Sequence, residues 1–155
     1  MKRISYIEDF ETWKNEFEFF IPIRVRFSET DMFGHMNNTF PFVYFEQARI
    51  EYMEYLGLYP LDTKEIGENI PVVADLQCDY LQQVFFGDEL KVYVKIKEIG
   101  TSSVDIHYLG VKGDDVACFT GRGRIVNINK KLGKSVPWSS EEREIFYEAM
   151  KVKLV

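Results

Sequence analysis

The hydrophobic pattern contains one long helical segment in the first half of the chain and a two-residue alternation in the second half. Between Thr39 and Gly57, apolar residues surround most of the first half of a predicted helix, so that half is expected to be buried on nearly all sides. Asn38 or Thr39 can cap the start of this helix, and Gly57 can stop it. The polar residues of the helix are expected to face solvent: Glu46, Gln47, Arg49, Glu51 and Glu54.

The alternating pattern begins at Ile70 and predicts four strands, over residues 71–80, 90–99, 103–111 and 116–128. Short connections that contain glycine separate them, which favours an antiparallel meander. One further alternating segment, residues 21–27, comes before the long helix. This order of elements predicts an α+β fold in which an antiparallel sheet covers one buried helix.

Both ends of the chain carry shorter helical patterns. Apolar residues recur at helical spacing between residues 7 and 20, and Ser139 or Ser140 can cap an amphipathic helix over residues 141–151. A chain of 155 residues without an evident internal linker is expected to form one domain. The expected division is a single domain over 1–155, with an N-terminal helical extension over 1–19 and a C-terminal helix over 139–151.

Composition narrows the classes of function. The formal net charge of −6 argues against a nucleic-acid-binding protein, which usually presents a concentrated basic face. Cys78 and Cys118 lack metal-ligand spacing and give no disulfide framework, so a reducing cytoplasm is the expected location. Acidic residues interrupt the first twenty positions, and no apolar run there is long enough for export or for spanning a membrane.

Asp31 is the most informative candidate for chemistry. It follows a predicted strand and precedes the start of the long helix, where backbone N–H groups lack partners within the helix and the helix dipole favours negative charge. A carboxylate in this position can act as a base or a nucleophile while the helix amides stabilise an oxyanion. On the residues alone, a turn former or a capping acid is the favoured interpretation of Asp31, and catalysis becomes the favoured one only with the sequence that flanks it.

Three runs of sequence surround this position and carry a more specific signal: Arg26-Phe27-Ser28-Glu29-Thr30-Asp31, Gly34-His35-Met36-Asn37-Asn38 and Tyr44-Phe45-Glu46-Gln47-Ala48-Arg49. With these runs, residues 20–135 resemble a hotdog-fold thioesterase of the 4-hydroxybenzoyl-CoA thioesterase-like superfamily. In that fold a long antiparallel β-sheet wraps around a central helix. The resemblance agrees with the α+β arrangement expected from the hydrophobic pattern.

The resemblance implies that Asp31 is the catalytic carboxylate and that the backbone N–H of Asn38 binds the oxyanion. His35 is either part of the proton-transfer machinery or a residue that orders the loop. Glu46 is the alternative carboxylate, although an ordinary ion pair with Arg49 is its default interpretation. The expected substrate-binding residues are Gly34, Asn37, Thr39, Phe33, Glu46, Arg122 and Arg124, the two arginines as ligands for the phosphates of coenzyme A.

The function implied by the resemblance is hydrolysis of a fatty-acyl or small aromatic acyl-CoA to the free acid and coenzyme A. No metal and no resident cofactor are expected, since coenzyme A belongs to the substrate and the product. The expected assembly is a homodimer, with further pairing into a homotetramer left open, and neither a nucleic acid nor a membrane is an expected partner. Two alternatives remain at this point: hydrolysis of acyl groups from acyl carrier protein, and a non-catalytic acyl-CoA-binding hotdog protein.

Overall fold

The computed structural model describes residues 2–59 and 67–151. Over these residues the chain forms, in order, α1 (Phe10–Asn15), β1 (Phe19–Arg24), a short 3-10 turn (Phe27–Glu29), α2 (Phe40–Tyr55), β2 (Asn69–Tyr80), β3 (Glu89–Ile99), β4 (Ser103–Lys112), β5 (Val116–Asn129), β6 (Lys134–Ser135) and α3 (Ser140–Met150). The long helix, the four later strands and the terminal helix occur where the hydrophobic pattern predicts them. Ser139 caps α3 through its side chain, and Glu142 completes a capping box.

The six strands form one antiparallel sheet in the order β1-β3-β4-β5-β2, and β6 pairs with β5. β2 and β1 are therefore the two outer strands of this order. One face of the sheet packs against α2 and α3, and the largest cluster of buried apolar residues lies between them. This is the α+β arrangement predicted from the sequence.

Glycine on β5 lets α2 approach the sheet closely. Phe45 is fully buried and its ring stacks on that of Tyr108, with centroids 4.4 Å apart. A Cβ atom on Gly121 would lie 2.4 Å from the Phe45 ring, which is too close for any side chain. The absence of a side chain at Gly121 therefore allows an aromatic ring to lie directly on the strand.

The N-terminal segment covers the opposite, outer face of the sheet. Trp13 of α1 packs against Leu109 and Val111 of β4. Its indole N–H donates to Nδ1 of His107, at 2.8 Å, and Nε2 of the same ring lies 3.0 Å from Asp105. These contacts dock a helix of only six residues, which is too short to be stable alone.

Several expectations from the sequence differ from the structure. β1 ends at Arg24, because the chain then turns into the 3-10 segment, and the N-terminal helix covers only residues 10–15 of the region 7–20. Arg49 is buried instead of facing solvent, and its guanidinium donates to the hydroxyl of Tyr108 at 3.2 Å. The default ion pair with Glu46 is thus absent among the described residues.

Among the described residues, no helix is both long enough and apolar enough to cross a membrane.

Candidate active site

The loop between β1 and α2 folds back on itself as a narrow hairpin. The N–H of Asp31 donates to the carbonyl of His35 at 2.8 Å, and the N–H of Asn37 donates to the carbonyl of Glu29 at 2.8 Å. Gly34 forms the turn with a φ of +81°, a conformation that side chains with a Cβ rarely adopt. The hairpin thus brings the candidate acid and the start of α2 into one compact loop.

The Asp31 carboxylate is held through one of its two oxygens. Oδ1 accepts the backbone N–H of Phe33 at 2.8 Å and that of His35 at 3.1 Å. No hydrogen bond among residues 2–59 and 67–151 uses Oδ2. The side chain is half-buried, so it is fixed in orientation while one oxygen stays available.

The start of α2 leaves one candidate oxyanion donor unused. The side-chain oxygen of Asn37 accepts both the N–H and the hydroxyl of Thr39, at 2.9 and 2.8 Å, and the carbonyl of Asn37 accepts the N–H of Phe40. The peptide that carries the Asn38 N–H is therefore fixed by its own carbonyl. Within the described part of the chain, no hydrogen bond engages that N–H.

Tyr80, at the end of β2, holds the same turn from the other side. Its hydroxyl donates to the carbonyl of Asn38. The sequence did not indicate this contact, because the two residues lie 42 positions apart in the chain. The contact links the edge strand of the sheet directly to the start of α2.

A second carboxylate close to the helix start was not predicted to have a role. Oε1 of Glu29 accepts the N–H of Arg26 at 2.8 Å and the hydroxyl of Tyr44 at 3.0 Å. Burial raises the pKa of the Tyr44 phenol, and the Glu29 carboxylate raises it further. The pair lines a cavity of about 910 Å³ between β1 and α2, together with Arg24 and Phe86. In the sequence, Glu29 stands out only as a member of the run from Arg26 to Asp31. That position does not predict a contact between its side chain and Tyr44 of α2.

The remaining loop candidates lie around the same hairpin. The ring of His35 packs edge-to-face on Phe85, with centroids 5.1 Å apart, and no hydrogen bond of the described residues uses its ring nitrogens. Phe33 is 75% exposed. The loop therefore combines an ordered histidine with an exposed aromatic side chain, and both stay predictions as substrate contacts.

The three candidates outside the loop lie elsewhere. Glu46 is exposed on α2. Arg122 lies on the outer face of the sheet, where its guanidinium pairs with Asp105 and with Asp75. Arg124 is exposed on the same strand. The structure thus brings together Asp31, Phe33, Gly34, His35, Asn37, Asn38 and Thr39, and it places Glu46, Arg122 and Arg124 apart from them.

Comparison with known proteins agrees with this geometry. A sequence model of the thioesterase-like superfamily matches residues 25–148. The Bacillus subtilis protein YsmA is 48% identical over 145 residues, which cover 93% of this chain and 96% of that protein.

Solved structures of thioesterases have the same fold as this chain. A protein of Bacillus stearothermophilus described as a predicted thioesterase is 33% identical, with a TM-score of 0.76 over 84% of this chain and 95% of its own. The DHNA-CoA thioesterase of Staphylococcus aureus has a TM-score of 0.75 over 83% and 88% of the two chains, and its 21% identity supports the fold alone. With the sheet that wraps α2, these matches confirm the hotdog fold, and the chain belongs to the thioesterase-like superfamily.

Proposed function

We propose that this protein hydrolyses acyl-CoA thioesters, with Asp31 as general base or nucleophile. The observation that carries the proposal is a carboxylate fixed through Oδ1 with Oδ2 unused, in the same hairpin as the unused N–H of Asn38. The family and the fold are those of thioesterases. A fixed acid in the same loop as an amide at a helix start that no described residue engages supplies the two kinds of group that acyl transfer requires.

The chemistry follows from these two groups. The thioester carbonyl oxygen accepts the N–H of Asn38, and the dipole of α2 favours the negative charge that develops there. Oδ2 of Asp31 takes a proton from a water molecule as that water attacks the carbonyl carbon. When the tetrahedral intermediate collapses, the C–S bond breaks, and the proton passes to the departing thiolate. The products are the free acid and coenzyme A. Direct attack by Oδ2 on the carbonyl is the alternative course.

The site of a single chain is incomplete. Asp31 lies outside the cavities of about 910, 740, 830 and 220 Å³ that the described residues form, so a bound acyl group needs a further wall. β2 is an outer strand of twelve residues, and the outward edge of such a strand presents unpaired N–H and C=O groups. Antiparallel pairing of β2 with the same strand of a second copy would continue the sheet and supply that wall. We therefore propose a homodimer as the active form.

The acyl carrier protein alternative is weaker in this structure. It needs a basic docking surface, and the basic residues on and just after the second half of β5 are partly neutralised. Arg122 pairs with Asp75 and Asp105, and Lys131 pairs with Glu68 at 2.7 Å. These ion pairs weaken the surface on which a carrier protein would dock, and they also engage Arg122, which was expected to bind the phosphates of coenzyme A.

The test is a hydrolysis screen with aliphatic and aromatic CoA thioesters and with the corresponding acyl carrier protein thioesters. Asp31→Asn is expected to lower kcat about a hundredfold or more, because the amide can no longer take a proton. Its side-chain oxygen can still accept the N–H groups of Phe33 and His35, so the loop is expected to keep its shape. Circular dichroism and thermal unfolding check that it does.

Glu46→Gln is the matched control, since it removes an exposed carboxylate near the same helix without touching the hairpin. Full activity in Glu46→Gln and loss in Asp31→Asn support the proposal. The reverse pattern would assign the chemistry to Glu46. A wild-type protein that hydrolyses none of the thioesters would contradict the function itself.

A further inference from the structure

A second cavity, of about 740 Å³, lies between α2, α3 and the sheet, at the end of α2 opposite the Asp31 hairpin. Apolar side chains form most of its wall, among them Met53, Ile125 and Phe146. Its volume is in the range of sites for small organic ligands. The cavity lies beyond the residues to which the sequence analysis gave a role.

Two polar side chains in this wall lack partners. Trp138 is 7% exposed, and its indole N–H is buried with no hydrogen-bond partner. Asn127 is 3% exposed and shares the inner face of β5 with Ile125, because alternate residues of a strand face the same side. No hydrogen bond of the described residues engages its carboxamide.

The backbone groups of Asn127 and Trp138 form hydrogen bonds, so only the side chains of these two residues lack partners among the described residues. The N–H of Asn127 donates to Ser102 at 2.8 Å, its carbonyl accepts from Val136 at 2.8 Å, and the N–H of Trp138 donates to Thr101 at 3.0 Å. The backbone hydrogen bond from Val136 to Asn127 holds these two residues together, and Val136 lies two residues before Trp138. Asn127 and Trp138 therefore lie in the same part of the cavity wall. Leaving a buried donor unsatisfied costs about 1–3 kcal/mol, and a ligand oxygen removes that cost.

We infer that this cavity binds the acyl part of the thioester and selects an acyl group that carries a hydroxyl on its otherwise apolar chain. The hydroxyl of such a group exchanges hydrogen bonds with the carboxamide of Asn127 in the cavity wall. An unsubstituted alkyl chain fills the same space and leaves that carboxamide unsatisfied. The inference rests on the proposed function, because it names the substrate class of that site.

The geometry of the edge strand connects the cavity with the chemistry. α2 is about 24 Å long, so within one chain the cavity and the Asp31 hairpin are separated by most of that length. The first residues of β2, Asn69 to Pro71, line the cavity, whereas its last residue, Tyr80, binds the turn at Asn38. Antiparallel pairing of two β2 strands across a two-fold axis sets the first residues of one copy against the last residues of the other. The cavity of each copy then faces the Asp31 hairpin of its partner.

The experiment measures binding without hydrolysis. Neutral primary amides of six to ten carbons imitate the thioester carbonyl, and each is compared with its ω-hydroxy counterpart by calorimetry. Trp13→Phe provides a background in which Trp138 is the remaining tryptophan of the two, so a change in its emission locates the ligand. The hydroxy amide of best-fitting length is expected to bind about five- to tenfold tighter than the plain amide, as one or two net hydrogen bonds allow.

Asn127→Leu is the decisive variant, because leucine keeps a similar size and removes the polar group. It is expected to abolish the preference for the hydroxyl while the plain amide still binds. Equal binding of both amides to the wild type, a preference that survives Asn127→Leu, or no binding of any amide would overturn the inference.

The same protein preparations are assayed for thioester hydrolysis. Hydrolysis without a hydroxyl preference would leave the proposed function standing and remove this inference. A hydroxyl preference in binding without hydrolysis of any thioester would do the opposite.

Discussion

The two tryptophans of the chain occupy opposite sides of the sheet and differ in one respect. The indole N–H of Trp13, on the outer face, donates to His107. That of Trp138, on the inner side, has no partner among the residues that the structure describes. Both side chains are almost fully buried, at 3% and 7% exposure, so burial does not explain the difference.

The surroundings of Trp13 form a closed polar network. His107 accepts from the indole through Nδ1 and bonds to Asp105 through Nε2, and Asp105 also accepts from Arg122. Lys95 donates to the carbonyl of Trp13 at 2.7 Å. A polar network in which each member is satisfied fixes a structure, whereas unsatisfied buried groups beside a cavity indicate a place for a ligand. We therefore assign a structural role to the outer face and a binding role to the inner cavity.

The largest expected loss of stability comes from removing Asp105 from the polar network on the outer face of the sheet. Asp105→Ala removes one acceptor of Arg122 and the partner of His107, and it is expected to destabilise the fold by about 2 kcal/mol, because half-buried hydrogen bonds to a charged group are lost. Asp115→Ala is the control, because it removes an exposed ion pair with Lys14 of the same N-terminal segment and should cost less than about 1 kcal/mol. Urea unfolding at an unchanged m-value measures both. Equal losses would show that the network adds nothing beyond surface pairing.

A smaller effect comes from the tryptophans themselves. Trp13→Phe and Trp138→Phe lose the same indole volume, but only the first leaves a buried acceptor, Nδ1 of His107, without its donor. Trp13→Phe is therefore expected to be about 1 kcal/mol more destabilising than Trp138→Phe. Midpoints of urea unfolding, measured without ligand, give the difference. Equal destabilisation, or a larger loss in Trp138→Phe, would contradict the contrast between the two sites.

Most of the framework could be predicted from local sequence. The periodicity that predicted α2 and the four later strands, and the Ser139 cap of α3, depend on residues within a few positions of one another. Asp31 on a strand-to-helix loop was found in the same way. The pairing of its Oδ1 with two amides of its own hairpin is also local, but it depends on the turn at Gly34.

The missed features depend on contacts between distant parts of the chain. Arg49 was expected in solvent because its position on α2 looks polar, yet its partner Tyr108 is 59 residues away. Trp13 and His107 are separated by 94 residues. The unsatisfied state of Asn127 can be recognised only when α2, α3 and the sheet are assembled around it. Local patterns cannot show which buried polar groups find partners.

The smallest expected effect is a dependence of stability on pH that arises from the outer network alone. Burial lowers the pKa of His107, and this outweighs the hydrogen bond to Asp105, which would raise it. The geometry has the same consequence, because a proton on Nδ1 would point at the indole N–H of Trp13. Charged and polar groups surround the ring on several sides: Tyr6 ahead of α1, Trp13 of α1, Lys95 and Lys97 of β3, Asp105 of its own strand, and Arg122, its cross-strand neighbour on β5. Burial and the Trp13 hydrogen bond therefore both favour the neutral form of His107 in the folded protein.

Since the folded pKa lies below the unfolded value, the contribution of His107 is present above pH 6.5 and is lost as the pH falls. If the ring stays neutral when folded, stability decreases by about 0.7 kcal/mol between pH 7 and pH 6. In Trp13→Phe the ring can accept a proton at Nδ1, and Asp105 then favours the charged form, so the decrease is expected to be smaller. Trp138→Phe should keep the wild-type slope, because its indole contacts no titrating group of the outer network. Unfolding free energies of the three proteins at pH 6 and pH 7 test this, and a common slope would show that the Trp13 hydrogen bond does not keep His107 neutral.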